Sequence, residues 1–205
     1  MPSVLAMASL KGGAGKTTVG LNLAVTAEAS GIRTVVIDLD PQQASAKWGD
    51  LRRLTHAGPP VISAMAARLP QAMEDAKSLG ADLVVLDTAA HAEGILAWAM
   101  DTADLVLIPC RPSVVDLQHL SATMQLAASR KKPAAVVLNA VLSRTTDSAQ
   151  AQGALCDMGL NVVSVSVSNL VAYGRAITIG QGVAEYEPDG KASAEMRALL
   201  AEITE

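Results

Sequence analysis

Lys11-Gly12-Gly13-Ala14-Gly15-Lys16-Thr17-Thr18 follows directly on the apolar run at 4–8 and leads into a helical pattern over 16–30. A strand that runs into glycines and then a helix curls the backbone so that successive N–H groups converge, and the helix N-terminus adds the positive end of its dipole. Such a cradle fits phosphate oxygens. Lys16 can reach β- and γ-phosphates, and the Thr17 hydroxyl stands where Mg²⁺, the hard cation that accompanies them, takes an oxygen ligand. The usual form of this loop has glycine six positions before the lysine. Here Leu10 holds that place, and a second lysine, Lys11, follows it. Lys11 either adds positive charge to its own site or reaches across to the nucleotide of a second subunit.

Outward from this loop, short apolar runs predict strands at 4–8, 34–38, 60–63, 83–87, 105–109, 134–141 and 162–167. Several are continuously apolar, as strands buried on both faces are. The stretches 16–30, 45–54, 69–79, 114–129 and 148–158 are long enough for crossover helices. Strands alternating with helices give an α/β fold, a parallel sheet wrapped on both faces. The tail, 170–205, reads as two helices joined by a polar bend at 185–191, where Pro188, Asp189 and Gly190 supply turn chemistry. No linker composition divides the chain and no fixed-period repeat is visible, so residues 1–205 are expected to form one domain.

Composition supports a large aliphatic core. Half of the 205 residues are hydrophobic and only 18% are charged, far from the balance of disordered chains. Aromatic residues are 2% and Phe is absent, so the core must pack small side chains closely, and stacking platforms for single-stranded nucleic acid are lacking. The net charge of -4 supplies no global attraction to DNA or anionic membranes. Cys110 and Cys156 match no metal or disulfide spacing and are expected to be buried thiols in a reducing cytoplasm. No apolar run reaches the roughly 18 residues of a membrane span and no basic-then-apolar leader opens the chain, which is therefore read as soluble and cytosolic.

Two carboxylates complete the phosphate chemistry. Asp38 and Asp87 each end an apolar run, so both emerge at the carboxyl edge of the sheet, beside the phosphate loop. There they can hold Mg²⁺ through water and offset the charge that develops in phosphoryl transfer. Asp40, in a loop closed by Pro41, is placed to orient an attacking water. His91 reads as a surface-loop histidine without a role.

The Lys11 to Thr18 loop, Asp38-Leu39-Asp40-Pro41-Gln42 and Leu83-Val84-Val85-Leu86-Asp87-Thr88 together resemble the deviant Walker-A ATPases. Within that group the chain resembles the ParA family of plasmid and chromosome partition ATPases, in the short form without an N-terminal DNA-binding domain. Ile108-Pro109 with Pro112-Ser113, Leu138-Asn139, and Glu185-Tyr186-Glu187-Pro188 with Gly190-Lys191 carry the resemblance along the chain. Where the family commonly has proline after the Walker-B Asp-Thr, this sequence has Ala89-Ala90-His91.

The resemblance implies a P-loop fold and a weak Mg²⁺-dependent ATPase that converts ATP and water to ADP and phosphate. It implies that Lys11 acts across an ATP-sandwich homodimer, that Gly12, Gly13, Ala14, Gly15, Lys16, Thr17 and Thr18 contact the phosphates, and that Asn139 reads the adenine. Asp40 would support hydrolysis, and Thr17, Asp38 and Asp87 would serve Mg²⁺. The implied task is DNA partition in a bacterial cytoplasm. An ATP-bound dimer holds nonspecific DNA of the nucleoid, and a centromere-binding, ParB-type partner stimulates hydrolysis and release.

Basic candidates for the DNA contact are Arg130, Lys131, Lys132, Arg144, Lys191 and Arg197, with Arg175 replacing the arginine that relatives carry just before Val171-Ala172-Tyr173. So few cations would bind only as patches doubled by dimerisation, with strong salt dependence. A membrane regulator of the MinD type should instead end in a basic amphipathic helix. Here Met196, Leu199, Leu200 and Ile203 lie at helical spacing among Glu195, Glu202 and Glu205, the pattern of a helix that covers a core, and no membrane partner is expected. A positioning ATPase acting on a membrane or protein cargo is the alternative. A small synthetase resembling dethiobiotin synthetase fits less well, having no use for Lys11 or the Asp-Leu-Asp-Pro-Gln run. A reductase like the nitrogenase iron protein needs paired cluster cysteines that Cys110 and Cys156 do not match.

Overall fold

The computed structural model describes residues 1–56, 58–90, 92–142 and 147–204. Among these, β1 (Ser3–Met7), β2 (Thr34–Asp38), β3 (Val61–Ser63), β4 (Leu83–Asp87), β5 (Leu105–Cys110) and β6 (Ala134–Leu138) form one parallel sheet in the order β3-β2-β4-β1-β5-β6. Their side chains alternate between two cores, as the two-residue period of a strand requires. Val4, Ala6, Val35, Ile37, Val84 and Leu86 enter one core, and Leu5, Met7, Val36, Leu83 and Val85 the other.

The first core is closed by α3 (Leu69–Ser78), α4 (Glu93–Thr102), α5 (Val114–Ser129) and α6 (Asp147–Asp157). The second is closed by α1 (Lys16–Ala29), α2 (Ala44–Arg52), α7 (Val171–Thr178), α8 (Val183–Tyr186) and α9 (Lys191–Thr204). Helix α1 is buried all round, because the tail packs over its outer side. Asn22, fully buried within it, donates to Thr18 O at 2.7 Å and accepts from Val183 N at 2.8 Å, so its amide joins the tail to the first turn of α1. Met196 and Leu199 of α9 are likewise fully buried, as the helical spacing predicts.

Four expectations need correction. The stretch 162–167 is not a strand. It touches β6 through the isolated bridge Val136–Val162, and Val141 bridges to Ser168 beyond it. Val163 N and Val167 N still donate to Val136 O and Leu138 O of β6 at 2.9 and 2.8 Å, but between them Glu202 accepts from Ser164 N at 2.6 Å and Val165 N at 3.2 Å. A carboxylate on α9 thus takes the middle donor, Val165 N, that a continuous ladder would have used. Likewise β6 ends at Leu138, three residues short of the predicted end at 141, because Ala140 takes a left-handed conformation with φ 54°. Helix α4 fills a region where the pattern assigned no element. The tail holds three helices rather than two, since Gly180 and Gln181 interrupt it before α8.

One of the two cysteines also differs from the expectation of buried thiols. Cys110 is buried, and burial with the nearby Asp116 charge pushes its thiol up to about 11. Cys156 is exposed on α6. Among the described residues no helix is long and apolar enough to cross a membrane. Arg144, His91 and Glu205 lie outside the described residues.

Helix α2 is bound to the tail through a buried cation. Arg52, 3% exposed, meets Glu185 at 2.7 and 2.8 Å, donates to Gly58 O and Gly180 O, and lies over the Trp48 ring. Burial alone would raise the Glu185 carboxyl, but hydrogen bonds from Arg52 and Gly182 N–H, with the charges of Arg52 and His56, hold it below its ordinary value of 4.5.

Candidate functional site

The carboxyl ends of β1, β2 and β4 lie side by side, with Met7, Asp38 and Asp87 in one register row. The loop from Ser9 to Gly15 rises from β1, and Gly15 stands at the start of α1 with φ 104°. That conformation is costly for any residue with a Cβ, and a Cβ at Gly15 would sit 2.0 Å from Asn139 Nδ2. Gly13 has φ 75°. Two glycines therefore set the curl of the loop, and the second also admits Asn139, which donates to Ala14 O at 2.7 Å.

Lys16 is 7% exposed and folds over the loop, donating to Ser9 O at 3.1 Å and Lys11 O at 3.4 Å. Burial lowers its ammonium below the ordinary value, against the neighbouring charges of Asp87 and Asp40. Thr17 Oγ1 donates to Asp87 Oδ2 at 2.8 Å. Ser45, fully buried in the first turn of α2, donates to the same oxygen at 2.7 Å. Asp87 Oδ1, buried, has no hydrogen-bond partner among the described residues. Burial pushes the Asp87 carboxyl up to about 6 despite the two hydroxyls, with the Asp38 charge adding to the rise.

This donor set fits a divalent cation. A hydroxyl that gives its proton to Asp87 keeps its oxygen lone pairs for a metal, and a buried carboxylate oxygen without a partner is costly until a donor or cation meets it. Asp38 faces another way. Its Oδ1 accepts from Asp40 N at 2.9 Å and its Oδ2 from Ala46 N at 2.8 Å, so it shapes the Asp40 loop and holds the start of α2. Burial raises its carboxyl, while those amides pull it back. Asp40 Oδ1 accepts from Gln42 N at 2.9 Å, a turn that leaves the carboxylate partly exposed beside the phosphate loop.

Lys11 is held within its own chain. Its ammonium lies 2.6 Å from Asp116 Oδ2 at the start of α5, where Ser113 Oγ also donates. Burial alone would raise Asp116, but the hydrogen bonds from Lys11 and Ser113 and the charges of Lys11 and Arg111 hold it low. Beside the loop opens a cavity of about 720 Å³, within the range of small-molecule sites. Thr18, Arg111, Asn139, Ser168, Arg175 and Tyr186 are among its lining residues.

The structure thus gathers Lys11, Gly12, Gly13, Ala14, Gly15, Lys16, Thr17, Thr18, Asp38, Asp40, Asp87 and Asn139 at one edge. Sequence reasoning missed Ser45, Ser9 and Asp116. Ser45 lies three residues past the Asp-Leu-Asp-Pro-Gln run, yet only the fold carries it to Asp87. Four of the candidate basic residues are engaged within the chain. Arg130 pairs with Asp101 at 2.8 Å, Lys132 donates to Ala103 O, Lys191 faces Glu195 at 3.6 Å, and Arg197 donates to Pro188 O and Ser193 Oγ. Lys131 and Arg175 have no ion-pair partner among the described residues.

Comparison with known proteins places this geometry among relatives. The model of the CobQ/CobB/MinD/ParA nucleotide binding domain family matches residues 5–183. Maintenance of carboxysome distribution protein A from Halothiobacillus neapolitanus is 30% identical over 207 residues, spanning 97% of this chain and 95% of its own. The chromosome-partitioning ATPase Soj from Thermus thermophilus is 26% identical over 234 residues, spanning 97% and 94%. The septum site-determining protein MinD from Pyrococcus horikoshii, solved with Mg-ADP, superposes with a TM-score of 0.76 over 99% of this chain and 96% of its own, at 18% identity.

Proposed function

We propose that this chain, which belongs to the CobQ/CobB/MinD/ParA nucleotide binding domain family, is an ATP-dependent molecular switch that positions a cargo from a DNA-bound dimer. The observation that carries this reading is the meeting, at one sheet edge, of the phosphate loop, the Thr17–Asp87 pair and the Asp38–Asp40 loop. The amides of Gly12 to Thr18 receive the phosphates, and Lys16 leaves Ser9 O to meet the β- and γ-oxygens. Thr17 and Asp87 hold Mg²⁺, which would neutralise charge on those oxygens, while Asp38 shapes the loop that presents Asp40. Asp40 orients the attacking water. Asn139 keeps its Oδ1 to accept from the exocyclic amine of adenine in the adjoining cavity.

Lys11 acts in the dimer. To reach a second subunit's nucleotide it must leave Asp116, so the ion pair stands as a barrier that ATP and the partner subunit overcome. Slow turnover follows, because a switch that persists in its ATP state cannot hydrolyse quickly without an activator. Among the described candidates, Lys131 and Arg175 remain for DNA, doubled by dimerisation. The carboxylates of α9 are engaged with the chain's own amides, which argues against a membrane-binding tail.

The cargo has two readings. In the first, a centromere-bound ParB-type partner releases the dimer and a plasmid or chromosome moves. In the second, favoured by the 30% match along nearly the whole chain to a carboxysome distribution protein, the cargo is a protein body with its own adaptor.

Binding of the Asp40→Ala protein to random-sequence duplex DNA, with ATP, at low and physiological salt, tests the switch, with Lys11→Ala beside it. The expected result is ATP-dependent binding by Asp40→Ala alone, weakening steeply with salt. A stable ATP dimer that ignores DNA would remove the DNA-bound step and leave a switch that acts on protein.

A further inference from the structure

Ser45 is fully buried, and its hydroxyl is spent on Asp87 Oδ2 at 2.7 Å. Its own turn is fixed to the neighbouring carboxylate, because Ala46 N donates to Asp38 Oδ2. The first turn of α2 therefore straddles both aspartates of the row Asp38–Asp87, with a side chain on one and the backbone on the other. Two hydroxyls on Oδ2, from Thr17 and Ser45, fix the rotation of the Asp87 carboxylate and leave Oδ1 as its open oxygen. Thr17 belongs to the phosphate loop. Ser45 belongs to the helix that ends the Asp40 loop.

We infer that Ser45 is a positioning residue for the metal-bound nucleotide: its hydroxyl aims Asp87 at the cation and transmits the cation's presence to the Asp40 loop through α2. The inference deepens the proposed function and rests on its assignment of Mg²⁺ to Thr17 and Asp87. Groups that orient a metal-facing side chain are commonly worth about 10- to 100-fold in metal affinity. Among the described residues the Ser45 hydroxyl donates to Asp87 and to no atom of the phosphate loop, so nucleotide affinity without the metal should not depend on it.

A reporter is built in three residues on. Trp48, 3% exposed on α2, senses movement of that helix, and a Trp98→Phe background removes the exposed second indole. In that background, ATP binding is measured by titration calorimetry with EDTA and then across a Mg²⁺ series, and Trp48 emission is read in parallel. Ser45→Ala should bind ATP in EDTA as the parent does, need about 10-fold or more Mg²⁺ for the same tightening, and lose the Mg²⁺-dependent change in Trp48 emission. Ser45→Cys, close to serine in size with a feeble donor, should behave like Ser45→Ala, and Ser45→Thr should restore the parent's Mg²⁺ series. Thermal unfolding of each variant checks that it is folded.

Equal Mg²⁺ series for Ser45→Ala, Ser45→Cys and the parent would overturn the inference. So would an equal loss of ATP affinity with and without the metal, which marks a structural role. A parent that ignores Mg²⁺ altogether would overturn the metal assignment and the inference with it, whereas a parent that responds while the variants match it removes only Ser45.

Discussion

Gly15 concentrates two constraints in one residue. Its φ of 104° would cost a residue with a Cβ about 1–2 kcal/mol, and the space for that Cβ is taken by the Asn139 amide. Gly15→Ala should therefore lower stability in urea and abolish ATP binding by calorimetry. Adding Asn139→Ala should relieve the crowding but leave the backbone cost, so the double variant recovers only part of the stability. The phosphate loop was legible in sequence because its chemistry is local: glycines, a lysine and a hydroxyl within eight residues. Asp87 was legible because it ends an apolar run. Ser45 and Asp116 were not, since each acquires its meaning from a contact made far along the chain, with Asp87 and Lys11 respectively. Asp38 was read at the right edge, yet its two oxygens go to backbone amides, which no spacing announces.

At the scale of elements, the continuous apolar runs identified the sheet well, since a strand buried on both faces needs little context. The stretch 162–167 failed for a physical reason: its valines are strand-like, but Glu195 and Glu202 on α9 compete for the backbone donors around it. Helix α4 escaped because Gly94 and Ala-rich spacing blur its pattern, although Leu96 and Met100 lie one turn apart and are fully buried. The link between α2 and α8 yields a pH signature. The Glu185 carboxyl is held below its ordinary value of 4.5, so the Arg52–Glu185 pair contributes its stability in full above that pH and loses it as the pH falls through the folded value. Glu185→Gln should destabilise the protein by about 3 kcal/mol near neutrality, because a buried cation loses its counter-charge. The gap between variant and parent should close in urea titrations run at successively lower pH.

For the molecule as a whole, the unresolved question in the sequence was where Lys11 would go, its own site or another subunit. Within one chain it goes to Asp116. If leaving that partner is the barrier to pairing, Asp116→Asn should dimerise with ATP at lower protein concentration, by about 30-fold for each kcal/mol one ion pair contributes, since both subunits release theirs. Light scattering across a dilution series measures this, and Lys11→Ala should scatter as a monomer throughout. Cargo and partner were illegible for a different reason: they are read by surfaces, and this surface spends most of its candidate cations on the chain's own oxygens.

Helix α1, enclosed by sheet on one side and tail on the other, has a consequence for how such a molecule signals. A helix walled in all round has nowhere to travel, so its amides belong to the last unit to open and the phosphate loop at its head is a fixed anvil. Whatever changes shape when the γ-phosphate arrives or departs must be hung from the rim around that anvil, where the chain is held by a few side-chain bonds and not by a core.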